Sequence, residues 1–355
     1  MTKRGLTGNE RHVLYGLVRH PTLNDRELSE ILGVKVSTVT AIRRRLRKAE
    51  FFVTKRVPMM HRLGWEVLAA GYAHFDAAQS AQAVGRIREF LKDRVPDLFH
   101  VSVSTDHLVF LAAEPSYTAL RRDVDELRVG LERGKLLGLS DVGVSVFPMS
   151  LSIVPAFFDF SHVLALAFGL DNRVTAKLEH GKIGDLSLTR KEAEVLKGLV
   201  RLPELSDKAL AQKVKVSRQA VSKMRREFER EGLVRTVRIP NIRLLGFDLF
   251  VSGFSRFRPL ANLRARAEAL EKTLRMPAYF ILSSDEESLV MGAAKNYEQF
   301  SALRGSIVRY QEEHGFLEGE PLVFLGLTGS TELIRNCEFG PLVQGLGEKG
   351  VRAGH

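Results

Sequence analysis

The 355-residue sequence predicts an α+β protein built as a tandem duplication, each copy a basic helical head followed by a βαββαβ unit. Three observations carry this. Sliding the chain on itself by 182 positions lays residues 6–65 on 188–247 without a gap, with about a third of the positions identical. Positive charge sits in those two matched segments: residues 1–65 sum to +9 and residues 183–247 to +7, while the rest of the chain sums to −5. After each segment, period-2 and period-3.6 apolar patterns alternate in the same order.

The totals agree. At 45% hydrophobic and 27% charged the chain has enough apolar material for real cores, and its length suggests more than one domain. A single cysteine, Cys337, rules out an internal disulfide and zinc-finger spacing. No charged-then-apolar leader opens the chain, so the cytoplasm is the expected location. The apolar stretch 154–170 is short for a membrane span and carries Asp159 and His162, so it reads as buried packing, with no membrane partner. A net charge of +11 points to a polyanion.

The second head carries the clearer signals. Ala193, Leu196 and Val200 recur at helical spacing until Pro203; Ser206 then caps a second short helix, and Ser217 caps a third that ends at Gly232. LVRTVRIP (233–240) alternates apolar and basic residues and reads as a hairpin wing, which completes a winged helix-turn-helix. In the third helix Val221, Met224 and Phe228 share the inner face, whereas Gln219, Lys223, Arg226 and Arg230 point outward, with Arg218, Ser222 and Arg225 beside them. Such a helix suits a DNA major groove, with Arg235 and Arg238 of the wing on phosphates. In the first copy Val39, Ile42 and Leu46 are inward, and Ser37, Thr40, Arg43, Arg44, Arg45 and Lys48 form the cationic side, with Lys55 and Arg56 on its wing. Glu50 stands where the other copy has Gly232.

Each head is followed by a strand (67–75; 248–257), a helix, two strands around an acidic turn (99–113; 279–294), a second helix and a last strand (142–147; 321–327). The second helix carries Leu120, Val124, Leu127 and Leu131 in one copy and Phe300, Leu303, Ile307 and Tyr310 in the other. This order is ferredoxin-like. The expected domains are therefore 1–66 and 185–247 (winged helix-turn-helix), 67–154 and 248–330 (ferredoxin-like), a connector at 155–184 and a tail at 331–355, with the duplication boundary near 184.

The stretch LSDKALAQKVKVSRQAVSKMRREFEREGLVRTVRIPNIRLLGF (205–247) resembles the head of the Lrp/AsnC (leucine-responsive) transcription regulators, including Leu245-Gly246 before the next strand. Two departures are Met224-Arg225 in place of Arg plus an aliphatic residue, and Ser-Thr-Asp106 and Ser-Ser-Asp285 in place of a Gly-containing turn. The resemblance implies a non-enzymatic regulator on double-stranded DNA, pairing through its ferredoxin-like domains as an internal pseudo-dimer and in homo-oligomers. It implies no resident cofactor, although a small-molecule effector is compatible with it. An alternative is resemblance to fused siroheme decarboxylases, whose chemistry depends on Arg and His residues of the ferredoxin-like sheets; His74, His100 and His107 are the histidines around the first unit. GLTGSTEL (326–333) reads as the exit of a last strand rather than a phosphate loop, and the aromatic run at 155–163 as packing.

Overall fold

The computed structural model describes residues 5–75, 80–92, 94–137, 142–170, 188–274 and 276–346. The expected duplication boundary near 184 and the end of the tail lie outside these residues. The first half runs α1 (Gly8–Arg19), α2 (Asp25–Leu32), α3 (Val36–Lys48), β1 (Phe52–Pro58), β2 (Val67–His74), α4 (Ser80–Leu91), β3 (Leu98–Val103), β4 (His107–Glu114), α5 (Tyr117–Arg133) and β5 (Gly143–Pro148), then β6 (Ile153–Phe157) and α6 (Ser161–Phe168). The second half repeats it as α7 (Arg190–Arg201), α8 (Asp207–Val214), α9 (Arg218–Arg230), β7 (Val234–Pro240), β8 (Leu249–Arg256), α10 (Ala267–Leu274), β9 (Ala278–Ser283), β10 (Glu287–Ala294), α11 (Tyr297–Glu313), β11 (Leu322–Leu327) and β12 (Glu332–Arg335).

Local chemistry sets the helix starts. Thr7 with Glu10, and Thr189 with Glu192, form reciprocal capping boxes at the same place in both copies. Ser206 and Ser217 accept the N–H of Ala209 and Ala220, as their positions predict. Gly232 takes φ 66° after α9, and Glu50 adopts the same left-handed region at φ 55° without glycine's freedom.

Three antiparallel sheets tie the halves together. β1 and β7 pair with each other, from Phe52↔Pro240 to Pro58↔Val234. This corrects the expectation of two hairpin wings, since each wing is a single strand whose partner comes from the other half. The two larger sheets have the orders β12-β3-β4-β2-β5 and β11-β8-β10-β9-β6. Thus β6, in the segment expected to be a connector, edges the second sheet beside β9, and β12, from the expected tail, edges the first beside β3. GLTGSTEL carries the chain from one sheet to the other, where Thr331 Oγ1 lies 2.8 Å from Ser104 Oγ.

Alternation along each strand gives every sheet two working faces. Tyr72 and His74 on β2 meet Phe254 and Phe324 of the opposite sheet, with Tyr72 and Phe324 ring centroids 4.9 Å apart. The outer face of the first sheet is covered by α4 and α5, and that of the second by α10 and α11. The apolar run at 154–170 is interior in its first part, with Phe157, Phe158, Phe160, Val163 and Leu164 buried, while Leu166 is 44% exposed. Among the described residues no helix is long and apolar enough to cross a membrane.

Candidate functional site

The basic side chains expected to meet DNA separate into exposed and structural groups. Ser37, Thr40, Arg44, Arg45, Lys48, Arg218, Gln219, Lys223, Arg226, Arg230 and Arg235 are exposed, and Ser222 and Lys55 half-buried. Arg43 and Arg225 are held inside their heads. Arg43 Nε lies 2.9 Å from Asp25, and Arg225 donates twice to Asp207 at 3.1 Å. Both pairs are identities of the duplication. Arg45 is engaged by Glu10. Two of the strand arginines, Arg238 and Arg56, are corrected, while Arg235 stays exposed. Arg238 is 9% exposed, donates Nη1 to the Leu17 carbonyl at 2.8 Å and lies over the Phe52 ring. Its partner by sequence, Arg56, is turned into the opposite head, among Arg225, Glu229 and Asp207, with Nε and Nη1 buried and unpaired. Neither side chain is placed to reach a phosphate.

One concave feature lies elsewhere, between the second sheet and its helices, beside larger hollows of about 420 Å³ next to His100 and Phe158 and about 290 Å³ next to Met149 and Leu282. A cavity of about 130 Å³, open on one side, is lined by β8, β10, α10 and α11. Strand register explains why it is there. In the first half Phe110 lies opposite Gly71 and packs over it; in the second, Val290 lies opposite Gly253. A Cβ on Gly71 would come within 2.2 Å of the Phe110 ring, whereas one on Gly253 meets only the Val290 carbonyl, at 4.0 Å.

The neighbouring positions change in the same sense. Leu108 and Ala112 become Ser288 and Gly292, and along the two 17-residue helices Val124 and Leu131 become Arg304 and Gln311. The first half therefore has a continuous helix–sheet core containing Leu108, Phe110, Val124, Leu127 and Leu131. The second has two small apolar groups, one around Leu270 and Ile281 and one around Phe257 and Leu317. The sequence pattern aligned Tyr310 with Leu131, but Tyr310 stands outside the cavity with its ring 3.6 Å from Lys272 Nζ.

Two guanidinium groups border the cavity. Arg266 is 1% exposed, stacked 3.5 Å from the Phe257 ring centroid, and donates to the carbonyls of Ala261 and Ser284 and to Ser283 Oγ. Burial pulls it down to about 10, still charged at neutral pH. Arg304 reaches outward to Glu320 at 2.7 Å while its Nε is buried without a partner. Apolar walls with a few convergent polar groups are the usual make-up of a small-molecule pocket. Here they would strip water from a bound carboxylate while a guanidinium fixes its orientation.

The three histidines lie on other surfaces. His74 and His107 are direct cross-strand partners, on the face turned to Phe324, and His107 Nδ1 is 2.7 Å from Asp106. His100 is buried against Phe158 with both ring nitrogens unpaired, and burial pushes it down to about 4. None of them borders the cavity, whose titratable groups are Arg266 and Arg304. Sequence reading missed both arginines, with Ser288, Thr273 and Gln311. The available signal was a polar residue in one copy at a core position of the other.

No family model and no curated protein matches the chain. Solved structures do. The siroheme decarboxylase NirDL matches with a TM-score of 0.52 and 14% identity over 95% of this chain and 97% of its own. The same enzyme in complex with an iron-uroporphyrin III analogue matches at 0.52 and 13%, over 94% and 97%. AsnC of E. coli matches over 40% of this chain and 92% of its own, at 15% identity and a TM-score of 0.32. The fold is thus shared end to end with an enzyme. This overturns the expectation of a non-enzymatic, DNA-binding transcription regulator.

Proposed function

We propose that the chain is an enzyme of tetrapyrrole metabolism, similar in reaction class to siroheme decarboxylase, with the cavity of the second half as its substrate site. The observation that carries the reading is the match over nearly the whole of both chains. The carved core supports the placement, because Arg304 and Gln311 replace apolar residues where a packed domain has no use for polarity. In such a reaction a carbon–carboxylate bond breaks, carbon dioxide leaves, and a proton takes its place on carbon. Apolar walls favour this step, since charge is concentrated in the bound carboxylate and dispersed as the bond lengthens. Arg304, with its free Nε, would hold a neighbouring carboxylate, and Arg266, committed to backbone carbonyls, would shape the wall. At about 130 Å³ the cavity is smaller than the roughly 300–1,000 Å³ of ligand pockets, so it would take a carboxylate side chain of the macrocycle rather than the whole ring. On the histidines the fit is partial, since all three lie away from the cavity.

The test is anaerobic incubation with siroheme, read by mass of the product, and absorption titration with iron-uroporphyrin III. Binding and loss of carbon dioxide are expected, both abolished in Val290→Phe, which rebuilds the packing of Phe110. A chain that neither binds nor decarboxylates refutes the activity. A Val290→Phe variant as active as wild type places the site elsewhere.

A further inference from the structure

The first half carries a group of side chains that the proposed activity does not use. Asp97, just before β3, Glu114, at the end of β4, and Asp123, on α5, bring carboxylate oxygens within 4.8 Å of one another. Clustering by itself means little, because acidic groups gather without metals. The independent observation is Glu114: it is 0% exposed, and neither of its carboxyl oxygens has a partner outside the three acids. Burial and the neighbouring Asp97 push its carboxyl up to about 9, so without a cation it holds a proton against Asp97, and a bound cation would displace that proton.

The neighbouring cations are spent elsewhere. Arg122 reaches Asp123, at 3.4 Å. Arg335 gives its guanidinium to the carbonyls of Leu91, Arg94, Val95 and Leu98. The second half supplies the contrast: at the equivalent positions it has Pro277, Ala294 and Leu303, so the fold does not need carboxylates there. Three separate elements of one copy have each acquired an acid that converges on one point.

The geometry points to a divalent-cation site formed by Asp97, Glu114 and Asp123, taking a hard ion of the Ca²⁺ or Mn²⁺ kind. The donors are all oxygen, which such ions prefer. With all three oxygens within 4.8 Å of one another, a small closing movement of the side chains brings them onto one ion. The ion would tie α5 to the strands beneath it in the half whose helix–sheet core is filled.

The experiment is titration of the full-length, chelator-treated protein with Mn²⁺, following loss of the free-ion electron paramagnetic resonance signal, with Ca²⁺ as competitor in calorimetry. One Mn²⁺ per chain is expected, with affinity lowered at least about 10-fold in Glu114→Gln, which keeps the shape and removes the charge. The double variant Glu114→Ala, Asp123→Leu copies the residues of the second half and is expected to fold and bind none. Wild-type protein that takes up no ion at millimolar concentration overturns the site, as does a Glu114→Gln variant that binds like wild type. In the first case the three acids are a proton-sharing network.

Discussion

Arg238 of the second half donates to the Leu17 carbonyl of the first, 2.8 Å away, so a strand that began under one head ends by supporting the other. Its counterpart Arg56 makes the reverse crossing. The β1–β7 pair lies between them, and Glu204 adds a further tie by accepting from the Thr54 N–H at 2.6 Å. The heads are therefore part of one seam rather than independent modules on a linker.

That seam gives a first prediction. Arg238→Met keeps most of the apolar stem but leaves the Leu17 carbonyl without its charged donor. Urea unfolding at neutral pH is expected to show a loss of about 2 kcal/mol, the scale of a buried hydrogen bond to a charged group. Arg226→Met, on the exposed face, is expected to change stability by less than about 0.5 kcal/mol. Equal effects would return Arg238 to the surface.

The two copies also predict opposite responses to one methyl group. Gly71→Ala drives a Cβ into the Phe110 ring at 2.2 Å, inside a packed core, and is expected to cost about 2 kcal/mol or more. Gly253→Ala, at the same register position beside the cavity, is expected to be close to neutral. Thermal melts of the two variants decide it, and a costly Gly253→Ala would mean that the second core is not hollow.

Much of the fold is legible in the residues because it is set locally. Caps at Ser206 and Ser217, the left-handed Gly232 and the outward face of Arg226 follow from neighbours a turn away. Arg56 and Arg238 were not legible as buried, because their partners belong to the other half and strand pairing between copies leaves no local trace. Arg43 and Arg225 looked like phosphate ligands, yet the joint identity of Arg43 with Arg225 and of Asp25 with Asp207 already marked structural pairs. The cavity is a sum of small losses at Ser288, Val290, Gly292 and Gln311. Each is ordinary alone and informative only beside Leu108, Phe110, Ala112 and Leu131.

Glu50 supplies a prediction about backbone strain. It holds φ 55° where the second copy places Gly232 at 66°. A left-handed conformation costs a residue with a Cβ about 1 kcal/mol, and Glu50 is exposed, with no hydrogen bond from its side chain among the described residues. Glu50→Gly is expected to raise stability by about that amount, measured as a shift in the urea midpoint. The converse, Gly232→Glu, is expected to lower it by as much.

His100 makes the protein sensitive to acid. Buried among apolar groups, with Lys55 also opposing its charge, it is pushed down to about 4 from the 6.5 of a free imidazole. Above pH 6.5 it is neutral in both folded and unfolded chains and has no effect on the balance. As pH falls from 6.5 towards 4 the unfolded chain takes up a proton that the folded one refuses, so stability is lost across that window, by up to about 3 kcal/mol. Other groups titrate there too, so the measurement is a difference between wild type and His100→Phe, which places at this position the residue the second copy has in Phe280. Unfolding free energies at pH 7 and pH 4.5 are expected to differ less in the variant than in wild type. An identical pH dependence in the two proteins would show that His100 already finds a proton or a partner in the folded chain.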